Sequence, residues 1–134
     1  MPYCAEILTT QKSRYMDEYI LTCLVDIWNA CKEVELFFAD KPKIFEEFRH
    51  DTMKIRAVER NVEIMGEAMG RIAQRDEKFL LPESKAIIQT RNRVIHGYDS
   101  VTPEFLWSLV IKHIPALKKD IEDMIEKNNC NIIL

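Results

Sequence analysis

The chain of 134 residues reads as an all-α protein, an antiparallel bundle of four or five helices. Apolar residues recur at intervals of three and four almost throughout, and no segment alternates apolar with polar as a half-buried strand must. Only three glycines interrupt the pattern. Loops this short make neighbouring helices antiparallel.

Ile20, Leu24, Ile27, Cys31, Val34 and Phe38 trace the first stripe and predict a helix from about Tyr15 to Phe38. Asp40-Lys41-Pro42 ends it. The same tripeptide is expected to open the next helix, with Asp40 or Lys41 at the cap and Pro42 in the first turn, where a missing N–H costs nothing. Phe45, Phe48, Ile55, Val58, Val62, Met65, Met69 and Ile72 then run to about Arg75, with a break near His50-Asp51-Thr52. Gly66 and Gly70 lie four apart within it. Glycine inside a helix costs about 1 kcal/mol against alanine, so the pair predicts a face that another backbone approaches closely. Opposite the stripe, Arg56, Arg60, Glu63, Glu67 and Arg71 form a charged row. Such a row usually faces water, although Arg60, Glu63 and Glu67, with Arg93 further along the chain, are also candidates to line a cleft.

Leu81-Pro82-Glu83-Ser84 reads as a turn into a short helix ending near His96, with Ile87, Ile88, Val94 and Ile95 as its apolar contacts and Gly97 as its stop. Thr102-Pro103-Glu104 is a helix start, threonine capping and proline in the first turn. Leu106, Leu109, Val110, His113, Leu117, Ile121 and Met124 follow, and Pro115 is expected to kink this last helix. Residues 1–134 are read as one domain, with Asn128 to Leu134 as a poorly ordered tail.

Composition narrows the function classes. The 47% apolar and 31% charged residues are those of an ordinary soluble domain, and no uninterrupted apolar run reaches the length of a membrane span. The N-terminus lacks the basic start and apolar middle of a secretory signal, so a cytoplasmic location is expected. Cys4, Cys23, Cys31 and Cys130 are too widely spaced for a zinc site, and Cys23 and Cys31 fall at apolar positions where a thiol acts as a small hydrophobe. No metal or other cofactor is expected. A net charge of −3 argues against a general polyanion binder, so any RNA contact must be local. One local patch exists: Ser84 to Tyr98 holds Lys85, Arg91 and Arg93 and no acidic residue. An exposed basic helix face is the plain reading of such a run.

Arginine and histidine can together cleave RNA without metal, since one binds phosphate and the other moves a proton near neutral pH. Here Arg91 and His96 stand five apart, which on a regular helix turns them about 140° from each other. Asn92 and His96, four apart, share a face, so Asn92 can orient the imidazole. Either loosening at Gly97 brings His96 and Tyr98 together, or a symmetric dimer completes the cleft; the dimer is the favoured arrangement. His113 reads as a satisfied core or interface residue, His50 as a surface residue, and Trp28 and Trp107 as packing groups.

The run Arg91-Asn92-Arg93-Val94-Ile95-His96-Gly97-Tyr98 resembles the motif of the HepT-like branch of the HEPN superfamily: arginine, four to six residues, histidine, any residue, tyrosine. Val58 to Ala68, ending in Gly66-Glu67-Ala68, is similar to that family's upstream helix, and Val101 to Val110 to its segment after the tyrosine. The likeness covers most of the chain. It departs at Leu81 to Ile88, where many relatives carry a proline followed by tryptophan and this chain has Pro82-Glu83-Ser84.

The resemblance implies an α-helical homodimer with a composite cleft and a metal-independent endoribonuclease toxin, with Arg91 and His96 catalytic, Asn92 and Tyr98 supporting, and RNA, tRNA among it, as substrate. It also implies a partner antitoxin, a minimal nucleotidyltransferase that silences the toxin by adenylylating Tyr98. The added phosphodiester charge and base would then occupy the ground an RNA phosphate needs. From a different class, a noncatalytic helical adaptor for a nucleotidyltransferase fits the same architecture. Nucleotide binding through a glycine-rich loop does not, since no such loop is present.

Overall fold

The computed structural model describes residues 17–96 and 101–128. Of these, 83% are helical and none lies in a strand, so all their regular backbone hydrogen bonding is local in sequence. In chain order the elements are α1 (Glu18–Phe37), α2 (Phe45–Arg49), α3 (Thr52–Arg75), a 3₁₀ turn (Glu77–Phe79), α4 (Ser84–His96), α5 (Pro103–Ser108), a π-helical turn (Leu109–His113) and α6 (Ile114–Lys127). Counting Pro103–Lys127 as one rod, this is the expected bundle of five helices.

Side-chain pairs fix the direction of the packing. Arg75 at the end of α3 meets Asp17 at the start of α1, Nε to Oδ2 2.9 Å, while Lys54 at the start of α3 sits over the ring of Phe38 just past the end of α1. The two helices are therefore antiparallel. Trp28 Nε1 donates to Glu122 Oε2 at 3.0 Å and Lys118 pairs with Glu35 at 3.4 Å, so α6 also runs antiparallel to α1. One core holds the assembly: Leu24, Ile27 and Cys31 from α1, Val58, Val62, Met65 and Met69 from α3, Ile87 from α4, and Leu106, Leu117 and Ile121 from the last rod.

Local chemistry sets most boundaries. The Asp17 carboxylate caps α1 by accepting from the N–H of Ile20 at 2.8 Å, and the Asp51 carboxylate caps α3 by accepting from Lys54 at 3.0 Å. The break expected near His50-Asp51-Thr52 is thus an N-cap. Thr102 caps α5 through Phe105, with Pro103 in its first turn, and α4 is helical through His96, beyond which residues 97–100 lie outside the described residues.

Two expectations are corrected. Pro42 does not open a helix: the chain stays non-helical through Ile44, which is extended, and α2 begins only at Phe45 without a side-chain cap. The residue before a proline is steered out of the helical region, and the start is then set by aromatic packing, with Phe45, Phe48 and Phe38 gathered around Trp107 at centroid distances of 5.3–5.9 Å. The residue at the break in the last rod is also different. The chain answers the missing N–H of Pro115 with the π-helical turn Leu109–His113, a wider turn holding one more residue than an α-turn. Ile114, not His113, accordingly follows Val110 into the core.

Asn128 closes α6, its side-chain amide donating to the Met124 carbonyl, so it belongs to the helix end. The remainder of the expected tail lies outside the described residues. No helix among the described residues is long and apolar enough to cross a membrane.

Candidate functional site

The chemistry-bearing run begins on α4, which packs along α3. Ser84 builds its entry: the hydroxyl accepts from the N–H of Leu81 at 3.1 Å while its own N–H reaches back to the Leu81 carbonyl at 3.0 Å. Ser84, Ile87 and Thr90 form the buried face, and Thr90 satisfies its hydroxyl on the Ala86 carbonyl at 2.8 Å. From Arg91 to His96 no residue is buried. Ile95, expected as an apolar contact, is 50% exposed.

Arg91 lies at the edge of this buried face. Its aliphatic stem rests on Gly66 of α3 so closely that a Cβ added to Gly66 would sit 2.5 Å from Arg91 Cβ and 2.8 Å from Cγ. At the far end, Arg91 Nη1 donates to Asn92 Oδ1 at 3.3 Å, and Nε is buried without a partner. Asn92 thus acts on the arginine beside it. The two glycines of α3 behave differently: Gly66 meets a side chain, not a backbone, and Gly70 has nothing within 4 Å of where a Cβ would be.

His96 is exposed in the final turn of α4, as are Asn92 and Arg93. Because α4 stays helical from Ser84 to His96, Arg91 and His96 are turned about 140° apart within one chain. Tyr98 and Gly97 lie outside the described residues. The cleft candidates on α3 are paired within their own helix: Arg60 with Glu63 at 3.2 Å and Arg71 with Glu67 at 2.7 Å, in line with a solvated face. Two surface cavities, about 280 Å³ beside Phe38, Pro42 and Phe48 and about 400 Å³ beside Phe79, Leu81 and Met124, are lined by none of Arg91, Asn92, Arg93 or His96.

Two groups were not singled out in the sequence. Asn61, on the inner face of α3, is 2% exposed; its amide donates to the Ala57 carbonyl at 2.9 Å and its Oδ1 has no partner. Glu83 is hydrogen-bonded to Nδ1 of His113, which gives that imidazole a partner as expected. Burial pushes the Cys31 thiol up to about 12, with Glu35 adding to the effect, and burial likewise raises Cys23. Neither is a nucleophile at neutral pH. No cluster of three or more histidine, cysteine or carboxylate side chains among the described residues could hold a metal ion.

Comparison with known proteins agrees with this layout. The family model described as Ribonuclease HepT-like matches residues 27–124, a span from the middle of α1 nearly to the end of α6. "Probable ribonuclease HepT" of Thermococcus cleftensis is 36% identical over 103 residues, covering 75% of this chain and 91% of that one. "Putative RNase MJ1380" of Methanocaldococcus jannaschii is 35% identical over 101 residues, 74% and 90% of the two chains. "Putative RNase TTE0752" of Caldanaerobacter subterraneus subsp. tengcongensis is 33% identical over 84 residues, 62% and 75%. No solved structure gives a significant match. With a helical bundle, a matched span that includes Arg91 and His96, and relatives of this extent, the chain belongs to the HepT-like ribonuclease family of the HEPN superfamily.

Proposed function

We propose that the chain is a metal-independent endoribonuclease, the toxin of a toxin–antitoxin pair, working as a symmetric homodimer in the cytoplasm. The observation that carries this reading is the state of Arg91: its stem is held on Gly66 and its guanidinium reaches the surface beside the exposed turn that ends in His96. A planar guanidinium so held suits a phosphodiester, and an exposed imidazole suits proton transfer to or from the ribose hydroxyl and leaving oxygen. Within one chain the two groups diverge. A two-fold axis beside α4 would bring Arg91 and His96 of both copies to one groove, and Ile95 supplies apolar surface for that contact.

RNA is the substrate class, tRNA within it, and a minimal nucleotidyltransferase is the partner that adenylylates Tyr98. The family membership and the relatives' ribonuclease names support the activity. The test is cleavage of end-labelled tRNA by the purified chain, with and without chelator. Cleavage that survives chelator and is lost in folded His96→Ala supports the reading. Cleavage abolished by chelator and restored by added divalent metal, or undiminished in His96→Ala, overturns it.

A further inference from the structure

We propose that Gly66 is a positioning residue for Arg91: α3 gives up a side chain there so that the arginine stem can lie on the helix and aim its guanidinium. The proposal rests on Arg91 being the phosphate-binding group. The geometry is restrictive. A Cβ on Gly66 would stand 2.5 Å from Arg91 Cβ, 2.8 Å from Cγ and 3.4 Å from Cδ. The nearest of these atoms is bonded to the backbone of α4 and cannot swing aside. Ordinary carbon contacts lie at about 3.5–4.0 Å, so α4 would have to move by roughly 1 Å.

Gly70 is the internal control. It lies one turn further along the same helix with open space where its Cβ would be, so the crowding belongs to the Arg91 contact and not to α3 as a whole. At the other end of the side chain, Nη1 donates to Asn92 and the buried Nε has no partner. The arginine is thus held at its root by Gly66 and at its tip by Asn92, and a phosphate must be met by the outer edge of the guanidinium. A shift of α4 displaces that edge directly, and a misplacement of about 1 Å can lower a rate by roughly 10²-fold.

The experiment compares the full chain with Gly66→Ala, Gly70→Ala, Arg91→Gly and Gly66→Ala/Arg91→Gly, reading RNA cleavage, binding of a single-stranded RNA oligonucleotide, and melting by circular dichroism. Gly66→Ala is expected to stay folded and to lose roughly 10²-fold in kcat. Gly70→Ala should stay within about twofold of the native rate. On the Arg91→Gly background, adding Gly66→Ala should change the residual rate little, since the clashing Cβ and the group it would misplace are both gone. A loss of the same size on that background, or a near-native rate in Gly66→Ala, overturns the proposal. If Gly66→Ala fails to fold, its melting is compared with that of Gly66→Ala/Arg91→Gly, which lacks the clashing atoms. Recovered melting supports the contact, and no recovery overturns the proposal. A native chain that binds RNA without cutting it sinks the ribonuclease reading alone, and the same variants then decide the positioning role by affinity. A native chain that neither binds nor cuts sinks both.

Discussion

The Glu83 carboxylate, at the entry to the helix that carries Arg91, is hydrogen-bonded to Nδ1 of His113 in the π-helical turn. The pair ties the entry of α4 to the last rod. Its origin is the wider turn before Pro115, which puts Ile114 into the core and leaves His113 at its margin. Both side chains keep some exposure, 22% for Glu83 and 34% for His113, which limits what the bond can contribute. Glu83→Ala and His113→Ala should each lower stability in urea titrations, and the double variant should fall short of their sum by about 0.5–1 kcal/mol. Strict additivity would mean that the two groups do not stabilise one another.

Arg91→Lys keeps the charge and loses the planar fork, along with the bond that Arg91 Nη1 gives Asn92. The variant should fold normally and lose on the order of 10²-fold in RNA cleavage, a loss like that of removing one donor to a developing oxyanion. A rate equal to the native protein's would show that charge alone suffices and that a two-pronged phosphate contact is not used.

Tyr98, outside the described residues, is the expected point of control. Incubated with a cognate nucleotidyltransferase and ATP, the native chain should gain adenylate at Tyr98 and lose cleavage, while Tyr98→Phe gains none there and stays active. Mass spectrometry that places the adduct on another residue would remove Tyr98 from that role.

Asp17 links stability to acid pH. Burial pushes its carboxyl up, but the N–H of Ile20 and the guanidinium of Arg75 outweigh this and hold it below the usual carboxylate range. A depressed folded value means stability that is present above the unfolded pKa, about 3.9, and lost as pH falls through the folded one. Asp17→Ala should therefore be less stable than the native chain by about 1 kcal/mol at pH 7, the usual loss for a removed cap. The difference should shrink below about pH 4. A gap that is constant from neutral to strongly acid pH would show that the carboxylate's charge contributes nothing.

Cys31 is fully buried and its thiol is raised to about 12, so almost no thiolate exists near neutral pH. Iodoacetamide at pH 8 should leave Cys31 and Cys23 unmodified in the folded chain and label both once urea unfolds it, as read by peptide mass spectrometry. Rapid labelling of Cys31 in the native state would show that the α1 core opens far more readily than its packing implies.

Much of this molecule is written in short-range patterns. A cap is a bond between residues three apart, as Asp17 and Thr102 make, and a buried face is a spacing of three and four, so the start of α5 and the stripe of α1 are legible without the fold. The sequence also determined that Arg91 and His96 would diverge if their helix stayed regular, and its likeness to the HepT-like motif pointed to the family. The tertiary structure alone decided that Gly66, not Gly70, meets another element, and that the element is the stem of Arg91. It also decided that Pro42 stays outside any helix, that Ile114 displaces His113 from the core, and that Ile95 faces outward. These outcomes depend on how far one helix is rotated and slid against another. That rotation is set by the summed packing of residues far apart in the chain, such as Phe38, Phe48 and Trp107, and no local pattern carries it.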